Sequence, residues 1–149
     1  MKILYNYHIF FAQNYGGPSK YFLKLATEVL KSENLKICAP IHINEYLKNF
    51  SSEHKYGKYI NSKYYNNLPF RLKNEIFDKL NLKFTDRFID KFKPDIIHET
   101  YFQPLKRNVP TVLTVYDLIH EKFHEMYKKN VNWRPKKIAI ENADQIICI

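Results

Sequence analysis

The sequence predicts an α/β domain built on a parallel sheet with helices on both faces. Three observations carry this. Apolar runs with no polar alternation, such as Ile96-Ile97 and Thr111 to Val115, are the mark of strands buried on both sides. Between them lie stretches whose apolar residues recur at three and four positions, as on one face of a helix. The two kinds of segment alternate along the chain, which is the order a parallel sheet requires.

Lys2 to Tyr7 is the first strand, aromatic and apolar from the second residue onward. His8 to Gly17 reads as a loop ending in Gly16-Gly17. Pro18 then suits the first turn of a helix, where its missing N–H costs nothing. Phe22, Leu25, Ala26, Val29 and Leu30 carry that helix to about Ser32. Lys36 to Ala39 is a short second strand, stopped by Pro40.

Residues 41–70 mix isolated apolar residues with polar ones, and predict a short helix, an irregular strand and a long loop. Leu72, Ile76, Phe77 and Leu80 indicate a helix, and Thr85 is placed to cap another that carries Phe88, Ile89 and Phe92. Asp95 to Glu99 and Thr111 to Tyr116 are strands, the second rich in β-branched residues. Only eleven residues separate Glu99 from Thr111, near the lower limit for a parallel crossover, which is therefore expected to be a loop. Asn132 or a neighbour caps a last helix, with Pro135 in its first turn and Ile138, Ala139 and Ala143 inward. Gln145 to Ile149 is the final strand.

The 149 residues suffice for one domain with a core, and 45% hydrophobic residues exclude a disordered chain. The formal charge of +9 draws the protein towards polyanions without choosing among them. No block of like charge marks a nucleic-acid tail, and the abundant rings fall at core spacing, so no nucleic-acid partner is expected. Cys38 and Cys148 lie in strand-like runs without a C-x-x-C pair, which fits buried thiols in a reducing compartment. No run approaches the roughly 18 apolar residues of a membrane span. A cytoplasmic location, with peripheral contact to an anionic membrane surface, is the expectation.

Candidate site residues gather at strand ends. Gly16-Gly17 lies between the first strand and a helix, where backbone N–H groups and the helix dipole favour an anion; the same pair also makes an ordinary tight turn. No G-x-G-x-x-G is present, which disfavours an ordinary dinucleotide site. His98 and Glu99 end one strand and Tyr116-Asp117 the next. His98 is either a core histidine or a ligand contact, and Asp117 either a helix cap or part of a site. His120-Glu121-Lys122-Phe123-His124 matches H-E-x-x-H, with Glu121 as the base of a zinc hydrolase. Its neighbourhood is strand-like rather than helical, and no metal is expected. Parallel strands deliver their tips to one side, so Gly16, Gly17, His98, Glu99, Tyr116 and Asp117 should share a rim.

Four blocks in order resemble family 4 glycosyltransferases of the GT-B fold. They are Gly16-Gly17-Pro18-Ser19-Lys20-Tyr21-Phe22, Lys93-Pro94-Asp95-Ile96-Ile97-His98, Pro110 to Ile119, and Ala143 to Ile149. The resemblance implies a Rossmann-like domain forming the N-terminal, acceptor-side half of a two-domain retaining enzyme, with the nucleotide-sugar domain lying beyond residue 149. The nucleotide-sugar would be a co-substrate, with no further cofactor, and the acceptor a saccharide or lipid-linked molecule of cell-surface polysaccharide synthesis. Gly16 and Gly17 would approach the donor phosphates, and His98, Glu99 and Asp117 would line the acceptor side. Related enzymes often carry a sugar-contacting His where this chain has Tyr116, and His120 is the nearby substitute. A chain without its donor domain is expected to be inactive alone. A non-catalytic module binding an anionic ligand stands as the alternative.

Overall fold

The computed structural model describes residues 1–105, 108–123, 125 and 133–149, and only the backbone at residues 74, 120, 121, 133 and 134. Its strands are β1 (Lys2–Tyr5), β2 (Asn34–His42), β3 (Lys55–Tyr59), β4 (Ile96–Glu99), β5 (Thr111–Val115) and β6 (Gln145–Cys148). Its α-helices are α1 (His8–Ala12), α2 (Gly17–Val29), α3 (Glu45–Lys48), α4 (Ser62–Asn66), α5 (Phe77–Phe92), α6 (Ile119–Lys122) and α7 (Trp133–Asn142). A π-helical turn, Leu72–Ile76, leads into α5.

The strands form one open sheet in the order β3-β2-β1-β4-β5-β6, and every neighbouring pair is parallel. With helices against it, this is a Rossmann-like α/β fold. The short connection after Glu99 does not disturb it: Ile97, His98 and Glu99 still pair in parallel with Thr111, Val112 and Leu113. Among the described residues no helix is long and apolar enough to cross a membrane.

Alternation along the strands sends side chains to two faces, where three clusters form. Tyr5, Leu35, Ile37 and Ala39 face α2, whose Phe22, Leu23 and Ala26 bury against them with Ile9 and Phe10 of α1. Leu4, Cys38 and Ile97 face the other way, onto Ile89 of α5. Leu113 and Val115 pack with Ala139 of α7.

Several elements differ from the reading of the sequence, each for a tertiary reason. His8–Ala12 is a helical turn rather than loop, because His8, Ile9 and Phe10 bury against the sheet tip. β2 does not stop at Pro40. Ala39 and Pro40 together stand opposite Gly57, between the pairs Cys38–Tyr56 and Ile41–Lys58, so the proline's missing N–H falls in a bulge. Asn81 of α5 repairs the gap: its Oδ1 accepts from Ile41 N at 2.7 Å and its Nδ2 donates to Ile41 O at 3.1 Å. Thr85 caps nothing, since α5 runs through it. It is buried on β2, where the Cys38 thiol donates to its Oγ1 at 3.6 Å. In α7, Ile138 is exposed and Lys136 is the buried residue beside Ala139. The expected cap at Asn132 lies outside the described residues.

Candidate functional site

The chain leaves β1 towards β2 on one side and reaches β4 on the other only after β3 and α5. In such sheets a reversal of this kind marks the usual ligand position, beyond the carboxyl ends of β1 and β4. A closed hydrogen-bond network joins these strand ends. Asn6 Oδ1 accepts from Thr100 N at 2.9 Å and from Thr100 Oγ1 at 2.6 Å, and Thr100 Oγ1 accepts from Ile9 N at 3.1 Å. Asn6 Nδ2 donates to Glu99 Oε2, while Leu105 N donates to Glu99 Oε1 at 2.8 Å.

Glu99 is 2% exposed, and burial pushes its carboxyl up to about 8 against the opposing pull of the Leu105 N–H. It therefore holds a proton near neutrality, and with both oxygens engaged it ties the tips of β1 and β4 together. His98 lies on the opposite face. Its Nε2 is 2.8 Å from Thr114 Oγ1, and its ring meets Tyr5 and Phe22 edge-on at 5.1 and 5.0 Å. Burial lowers it to about 4, so the imidazole is neutral at physiological pH. It is a hydrogen-bonded wedge beneath the first turns of α2.

The outer rim comes from α2, β5 and α7. The Tyr116 ring stands 6.1 Å from Tyr21 and 6.3 Å from Phe22, and its buried hydroxyl has no partner among the described residues. Burial raises that phenol far above its ordinary range. Asp117 is half-exposed, and its Oδ1 accepts from Ile119 N at 3.1 Å, the local turn contact open to it from sequence. Lys136, 3% exposed, donates to the Asp117 carbonyl, lies 4.0 Å from its carboxylate and sits 5.4 Å above the Phe102 ring. Tyr116 thus packs on α2, Asp117 is tied to α7 through Lys136, and His98 and Glu99 are buried on opposite faces of β4.

The two glycines differ. Gly16 has extended backbone, φ 172°, and a Cβ there would meet only the end of the Gln13 side chain, Oε1 at 2.2 Å. A Cβ at Gly17 would meet nothing within 4 Å. Packing within the domain therefore does not demand glycine at 17, and the space above it is open at the N-terminus of a 13-residue helix. The side chains of His120 and Glu121, and His124 altogether, lie outside the described residues. Among the described residues no group of three or more His, Cys, Asp or Glu could hold a metal ion.

Asn6, Thr100 and Lys136 were not legible as site residues. Asn6 gave one signal, a lone amide inside an aromatic strand, and a buried amide must find partners. Comparison with protein-family models, curated proteins and solved structures finds no match to this chain.

Proposed function

We propose that this chain is the acceptor-side domain of a retaining glycosyltransferase of the GT-B type, working with a nucleotide-sugar held by a second domain. The observation that carries the reading is the open space above Gly17, at the positive end of α2 on the sheet's carboxyl edge. A diphosphate could approach the backbone there without displacing any side chain. Tyr116, which packs on α2 through Tyr21 and Phe22, and Asp117 next to it would face the acceptor, a saccharide or lipid-linked sugar. The four sequence blocks that resemble family 4 enzymes map onto the start of α2, β4, β5 and β6. The domain's part in transfer would be to hold acceptor and donor in register and to keep water out.

Turnover should be tested with a polypeptide that also carries the proposed donor domain, against a panel of nucleotide-sugars and with the anomeric product identified. Gly17→Leu fills the open space, and about a tenfold or greater loss of kcat/KM is expected with little change in thermal stability. No transfer from any nucleotide-sugar, or full activity of Gly17→Leu, would remove the support for this reading. The alternative, a non-catalytic anion-binding module, predicts pyrophosphate binding that Gly17→Leu abolishes and no transfer at all.

A further inference from the structure

Helix α7 turns a lysine inward and an isoleucine outward. Its inner face is Lys136, Ala139, Ile140 and Ala143, the spacing of one helical stripe, whereas Ile138 is 45% exposed. The neighbouring Lys137 stays in solvent, 3.7 Å from Glu141. Packing on Leu113 and Val115 would be served by an apolar residue at 136. The position instead holds a cation that is 3% exposed.

Three elements meet on that cation. Lys136 Nζ donates to the Asp117 carbonyl, just past β5, and lies 4.0 Å from Asp117 Oδ1. It also stands 5.4 Å from the ring centroid of Phe102, in the segment after β4. Phe102 in turn packs on the cluster of Leu113, Val115 and Ala139. Asp117 Oδ1 accepts from Ile119 N at 3.1 Å, so the main chain and one carboxylate oxygen are both held. Oδ2 takes no hydrogen bond from a described residue, and the side chain is 48% exposed. One oxygen is fixed and the other is left to a ligand.

Stability does not call for this cation. Burying an ammonium costs free energy that a half-exposed carboxylate only partly returns, and an apolar chain of the same length commonly does as well or better. Removing it leaves no buried charge behind, because the Asp117 carboxylate keeps its water. Methionine is also as good a helix former as lysine.

We infer that Lys136 is a positioning residue: it fixes the Asp117 carboxylate at the strand end for an acceptor hydroxyl, at some cost to the stability of the domain. This rests on the reading that Asp117 faces the acceptor.

The test compares Lys136→Met and Lys136→Arg with Lys137→Met, which makes the same charge change at an exposed site on the same helix. In this chain, Lys136→Met should leave the melting temperature unchanged or raised. The Ile119 amide should exchange about tenfold faster or more, because its Asp117 partner is released. Lys136→Arg keeps a cation and should keep most of that protection, and Lys137→Met should alter neither reading. In a polypeptide that also carries the proposed donor domain, Lys136→Met should lower kcat/KM for the acceptor about tenfold, with KM for the nucleotide-sugar unchanged. Asp117→Asn should lower it too, and adding Lys136→Met to Asp117→Asn should cost little more, since the lysine acts through the carboxylate. A melting temperature lowered as by a core truncation, an unchanged Ile119 amide in Lys136→Met, or losses of the two substitutions that multiply in full would each overturn the proposal. If the wild type transfers no sugar, the transferase reading falls, and exchange at Ile119 alone decides whether Lys136 holds Asp117.

Discussion

Lowering the pH from about 7 to about 4 is expected to unfold the domain, because three buried histidines cannot accept protons in place. Burial lowers His8 to about 3 and His98 to about 4, and burial with the nearby Lys55 charge lowers His42 to about 4. In the unfolded chain each returns to its ordinary value near 6.5. Between about pH 4 and pH 6.5 the unfolded state therefore binds more protons than the folded one, and stability falls as the pH falls through that window. One unit of displacement is about 1.4 kcal/mol, so even halved for relaxation of the sites the three together withdraw about 5 kcal/mol. That is comparable with the whole stability of a small domain.

Glu99 works in the opposite direction. Held at about 8 by burial, it keeps its proton in the folded state through the range where the unfolded carboxyl has lost it. Its contribution is therefore lost as the pH rises from about 4.5 to about 8. The histidines outweigh it below about pH 6.5, and it acts alone above, so maximum stability should lie between about pH 6 and pH 7. Urea unfolding across this range reads both limbs. His98→Phe should flatten part of the acid limb, and Glu99→Gln the alkaline one. A stability constant from about pH 4 to pH 7 would contradict the burial of these rings.

The parallel sheet was legible because burial on both faces writes strands without regular polar alternation, such as the β-branched run Thr111 to Val115. Which strand ends share an edge was legible for the same reason, since every pairing is parallel. What stayed hidden depends on partners distant in sequence. The turn His8–Ala12 is too short for its spacing to be measured, and becomes helical through burial on the sheet tip. Thr85 has the chemistry of a cap, yet the Cys38 thiol and the sheet claim it inside α5. Lys136 lies next to Pro135 in a helix whose inward face appeared apolar, and only the fold brings it to the Asp117 carbonyl. Pro40 reads locally as a strand end, and the bulge that admits it is visible only once β3 is paired.

Gly57→Ala is expected to be the most damaging single-methyl addition in the chain. At the bulge, Ala39 and Pro40 crowd the single residue opposite them, and Gly57 answers with φ +138°, a conformation L side chains rarely adopt. A Cβ built there stands 1.7 Å from the Ala39 carbonyl oxygen and 2.9 Å from the Pro40 Cα. Both are backbone, so no side chain can swing aside. The edge strand must move, and the loss should be about 3 kcal/mol or more, read as a lower urea midpoint. Amide exchange should show the damage first between β2 and β3. Gly17→Ala is the contrasting case. It adds the same methyl where nothing lies within 4 Å, on a helix that prefers alanine, so it should shift stability by less than about 1 kcal/mol. If both substitutions cost the same, neither the bulge geometry nor the open space above Gly17 stands. A large gap between them would separate a glycine the fold requires from one that packing leaves free for a ligand to approach.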